Sequence, residues 1–154
     1  MILLLLVTGM FLVSDAPQLA SIEAALHGSF VPVASLRALD AAVASELHRR
    51  TKEPVADVGE PFEPTDVITG NLPTRRFVLA GKSTMSPTVW VVCYEHGGRG
   101  YHYHVALFQV DEDTARVLKA GQWLPAWKER KRAVTLDRIL TALRVGEVQY
   151  DNHW

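Results

Sequence analysis

Residues 93 to 104, CYEHGGRGYHYH, hold the only cysteine, three of the six histidines, three of the four tyrosines and a glutamate. Thiolate, imidazole and carboxylate are the ligands of zinc, and thiolate and imidazole also suit copper. A thiol beside an imidazole is also the start of a nucleophilic site. Either chemistry needs the side chains to converge, and convergence depends on how the chain turns.

Glycines 97, 98 and 100 permit the positive φ values of a tight hairpin turn. A turn centred on Gly98-Arg99 sets His96 opposite Tyr101, Glu95 opposite His102, Tyr94 opposite Tyr103 and Cys93 opposite His104. Side chains alternate between faces, so one face then carries Cys93, Glu95, His102 and His104. Opposed Cβ atoms lie about 4.5–5.5 Å apart. Residues two apart on a strand are about 6.5 Å apart. The four groups can then share one zinc or copper ion. The same register offers a Cys93–His104 pair for thiol chemistry. No oxyanion hole accompanies it, and a thiol inside a strand gains nothing from a helix N-terminus. A longer turn, or a bulge, would send the histidines to the other face. The plain structural reading makes Cys93 a small buried hydrophobe, Glu95 and His102 a cross-strand polar pair, and the tyrosines an aromatic ladder.

The elements that must position this hairpin are readable from periodicity. Strand-like runs occur at RFVLAGKS, TVWVVCYEH, YHYHVALFQV and ARVLKAG, joined by TMSP, GGRG and DEDT. They predict an antiparallel meander of about four strands. Ahead of them, Leu19, Ile22 and Leu26 predict a short helix after Pro17. Leu36, Leu39, Val43 and Leu47 predict a second helix over 34–50. After the strands, Thr135 reads as an N-cap for a helix carrying Leu136, Ile139, Leu140 and Leu143 and ending before Gly146. Between helices and strands, residues 53–74 hold five acids, four prolines and no base before Arg75, and predict a wrapping loop with a short edge strand near Val67-Ile68. The expected fold class is therefore α+β: an N-terminal helix, or two, packed on the meander, with a C-terminal helix.

The bulk numbers set the frame. A chain of 154 residues, 48% hydrophobic and 21% charged, suits one domain with its own core. A formal charge of −1 gives no pull toward nucleic acid. Residues 1–13 are almost wholly apolar and lead to Ser14-Asp15-Ala16, the pattern of a signal peptide or N-terminal anchor over 1–16. A run of thirteen residues falls short of the roughly 20 that span a bilayer as a helix. The expected domain is 17–154, exported to the periplasm or secreted, with membrane contact only through an uncleaved N-terminus.

Aromatic and basic groups near the turns suggest recognition. Arg99, Tyr101 and Tyr103 at the hairpin, with Trp123 and Trp127 in the loop that runs into the basic cluster 128–132, have the composition of a protein-binding surface. The first functional expectation is thus an exported, non-catalytic binding or accessory protein without a cofactor. Its partner would be an envelope or secreted protein or a small molecule. The alternatives are a zinc or copper protein using Cys93, Glu95, His102 and His104, and a thiol enzyme using Cys93 and His104.

Overall fold

Valines, aromatics and alternating apolar residues from position 75 onward pair into strands, and the rest of the fold packs on them. The computed structural model describes residues 16–65, 70–98, 100–126 and 132–150. The elements run α1 (Ala16–Leu26), β1 (Phe30–Val33), α2 (Ala41–Thr51), β2 (Val55–Ala56), β3 (Arg75–Ser83), β4 (Thr88–His96), β5 (His102–Asp111), β6 (Thr114–Trp123), α3 (Leu136–Arg144) and β7 (Val148–Tyr150). The mixed α+β class agrees with the sequence reading, and the helix positions fit it roughly.

Among the described residues the sheet has seven strands rather than about four. The meander β3-β4-β5-β6 forms its centre, β1 and β7 close its edges, and β2 pairs in parallel with the start of β3. The three extra strands have two to four residues each and are held by their partners. The helix expected over 34–50 divides. Ser35 caps a single 3-10 turn at Leu36–Ala38, and the Asp40 side chain accepts from Ala42 N to start α2. Each cap offers the backbone a new start and so interrupts one long helix. The Thr135 cap is present, its hydroxyl accepting from Arg138 N.

Helices cover both faces of the sheet. On one face, Ile22 and Leu26 of α1 and Ile139, Leu140 and Leu143 of α3 pack over Val89, Val91, Cys93, Val105 and Leu107. The Arg144 guanidinium donates to Leu26 O and ties the two helices together. On the other face, Val43 and Leu47 of α2 pack over Phe77, Trp90, Val92, Tyr94, Ala106 and Phe108. This explains why β4 is buried from Val89 to Glu95: a strand covered on both sides cannot alternate.

The acidic loop is tied down rather than loose. Asp57 is buried and accepts from Ser35 Oγ, Leu36 N and Val58 N. Glu60 accepts from Asp57 N and from Arg37. Residues 1–15, Val67-Ile68 and 127–131 lie outside the described residues, as do the leader, the edge strand and most of the basic cluster read there. Among the described residues no helix is long and apolar enough to cross a membrane.

Candidate metal centre

The turn between β4 and β5 spans five residues, not two. His96 pairs with His102, Glu95 with Tyr103, Tyr94 with His104 and Cys93 with Val105. The cause lies in the acidic loop. Gly97 N–H donates to Thr74 O at 2.8 Å. A Cβ at Gly97 would overlap Glu63 O, so the loop backbone lies directly against this glycine. Gly97 is thereby tied to the loop at the start of the turn, and Gly98 and Gly100 reverse the chain at φ +92° and +76°.

This register moves the histidines and corrects the expected ligand set. Cys93 and Glu95 point to the α1/α3 face, while His102 and His104 point to the α2 face with Tyr94 and His96. The four residues Cys93, Glu95, His102 and His104 therefore cannot converge on one ion. Nor can Cys93 and His104 form a catalytic pair. Cys93 is fully buried among apolar side chains, and burial together with the Glu95 charge pushes its thiol well above the ordinary range. It is a core residue.

His96, His102 and His104 come together instead. One ring nitrogen from each lies within 4.8 Å of the others. His102 and His104, two apart on β5, stand on the same side of the sheet, and His96 joins them from the neighbouring strand. His102 Nδ1 is 2.6 Å from Gly100 O. A carbonyl only accepts, so Nδ1 carries a proton, and in the neutral ring the lone pair sits on Nε2. That Nε2 is 2.8 Å from His104 Nε2. A backbone carbonyl that fixes the tautomer of a ligand imidazole is the usual second partner in metal sites.

His104 is held from behind by Tyr94, whose ring stacks on it at 4.9 Å and 8°. Its 3% exposure places it at the floor of the cluster, with His96 and His102 half-buried above it. Burial pushes His104 down to about 3, helped by the charges of His102, His96 and Arg75. Burial also pushes His96 down to about 4, with Arg75 and His102 adding to it and Glu53 opposing. Both rings are therefore neutral at pH 7, the form that binds metal. The Nδ1 atoms of His96 and His104 are buried with no hydrogen-bond partner among the described residues.

The opposite face of the same hairpin end is a closed polar cluster. Glu95 is buried and accepts from Arg76 Nε and from the Tyr101 hydroxyl. Tyr101 packs edge-on against Tyr103, and Tyr103 leans on Trp123 at 5.7 Å. Trp123, read as a recognition anchor, is only 2% exposed and belongs to the core. Tyr101 and Tyr103 are half-buried. Arg99 and Trp127 lie outside the described residues.

His96 is the ligand that the two-residue turn concealed. Its signal is parity. All three histidines have even numbers, and any hairpin whose paired numbers sum to an even value puts them on one face. Comparison of the chain with protein-family models, with curated proteins and with solved structures gives no match.

Proposed function

We propose that this protein binds a divalent late transition-metal ion, zinc or copper, through His96, His102 and His104. The observation that carries the reading is the approach of three imidazole nitrogens, from two adjacent strands, to within 4.8 Å of one another. Three neutral nitrogen ligands with no thiolate suit zinc and Cu(II), not the softer Cu(I). Three protein ligands leave a fourth position for water or an exogenous ligand, the pattern of open rather than purely structural zinc sites. Export, proposed from the apolar run 1–13 and Ser14-Asp15-Ala16, would place the site in a compartment where it meets free metal ions.

Equilibrium dialysis of chelator-treated protein against micromolar zinc tests this. The expected result is one ion per chain in the wild type and none in His102→Ala/His104→Ala. Equal retention by both, or by neither, contradicts it.

A second reading keeps the expectation of partner or small-molecule recognition. It rests on a cleft of about 560 Å³ beside Trp123, lined by Leu124, Pro125, Arg138, Thr141 and Glu147. Size and mixed lining are those of a ligand pocket. The cleft opens on the face away from the histidines, so a ligand there would bind the double histidine variant as well as the wild type.

A further inference from the structure

We infer that the fourth coordination position takes a small planar oxyanion, a carboxylate or bicarbonate, held between the metal ion and Arg75. This rests on the metal reading above.

Arg75 opens β3 directly opposite His96 in the antiparallel register, and so projects from the histidine face. Directly opposed side chains on a sheet start about 4.5–5.5 Å apart at Cβ. Arg75 is only 9% exposed. Its Nη1 is committed to Glu53, which the chain leaving α2 brings to this end of the sheet. Its Nε is buried and has no hydrogen-bond partner among the described residues. A buried donor on a charged group is costly when left unmade, so the site is incomplete as the protein alone.

Charge points the same way. Three neutral imidazoles leave both positive charges of the ion uncompensated, and Glu53 offsets only Arg75. An anion relieves that excess; a neutral ligand does not. A carboxylate has two oxygens in one plane, one for the metal and one for the guanidinium edge, which is the geometry arginine recognises best.

Cobalt(II) replaces zinc for the test, because its visible absorption reports a change of ligand. The cobalt-loaded wild type is titrated with acetate and, separately, with bicarbonate. The expected result is a saturable spectral change with at least one of them, and the arm that saturates lower names the source. Arg75→Gln should bind cobalt as the wild type does but weaken the anion about tenfold or more. Glu53→Gln removes the competing carboxylate while keeping Arg75, so the anion should bind more tightly. This second variant decides the matter if Arg75→Gln fails to fold. A cobalt spectrum indifferent to both anions, or anion affinity unchanged in Glu53→Gln and in any folded Arg75→Gln, overturns the inference and leaves the metal reading standing. Failure of the wild type to bind cobalt at all overturns both.

Discussion

The Nε2 atoms of His102 and His104 lie 2.8 Å apart, and the Gly100 carbonyl fixes which of them holds a proton. His102 donates from Nδ1, so its Nε2 is a lone pair. His104 must then give its Nε2 proton to His102, which leaves the buried His104 Nδ1 as an acceptor with no donor. The cluster is thus satisfied only in part by its own protons. A metal ion in place of the shared proton gives the Nε2 lone pairs of both His102 and His104 a partner.

Metal binding should therefore show as stability. Zinc at about 100 times its Kd raises unfolding free energy by about 2.7 kcal/mol when only the native state binds. Urea denaturation should show that gain in the wild type and not in His102→Ala or His104→Ala. Without metal the two variants should differ. His104 is buried and stacked on Tyr94, and its loss should cost roughly 1–3 kcal/mol. His102 is half-buried, and its loss should cost less than about 1 kcal/mol. Equal zinc stabilisation of all three proteins would count against the site.

The metal-free protein should lose stability on mild acidification. His96 and His104 have folded values of about 4 and about 3, below the ordinary 6.5. The unfolded chain therefore takes up protons first, and stability falls as pH drops from about 6.5 toward 4. The facing groups are Arg75 on β3, whose charge adds to the effect, His102 on β5, and Glu53, which opposes it at His96. Urea midpoints of wild type and His104→Gln, measured with chelator between pH 7.5 and 4.5, isolate the His104 share. The wild type should fall more steeply. Parallel curves would show that His104 titrates normally.

Cys93 should be irrelevant to metal and to any chemistry. It has no exposure and faces α1 and α3, with its thiol held in the neutral form. Cys93→Ala should keep full zinc stoichiometry at a cost of about 1 kcal/mol in stability. Native protein should react with iodoacetamide far more slowly than protein in urea. Rapid native labelling, or zinc lost with the thiol, would return Cys93 to the site.

Much of the scaffold is local and therefore legible in the sequence. Strands β3 to β6 follow from alternation and β-branched runs, and α3 follows from Thr135 and the spacing of Leu136, Ile139, Leu140 and Leu143. What escapes is what distant partners decide. Strands β1, β2 and β7 are too short to announce themselves and exist because β3 and β6 offer edges. The hairpin register depends on Thr74 and Glu63, residues 23 and 34 positions before Gly97, which claim that glycine for the loop. The cluster of reactive residues was visible as composition. Which of them meet was not, because one position of slip exchanges Cys93 and Glu95 for His96.

The most direct test of the three-histidine centre is X-ray absorption fine structure at the zinc edge of zinc-loaded protein prepared without a metal-affinity tag. The expected spectrum has a nitrogen/oxygen shell at about 2.0–2.1 Å with the outer-shell scattering of imidazole rings and no sulfur. A sulfur shell at about 2.3 Å would put Cys93 on the metal and contradict the register. A spectrum of hydrated zinc, without imidazole scattering, would mean that these histidines do not hold an ion.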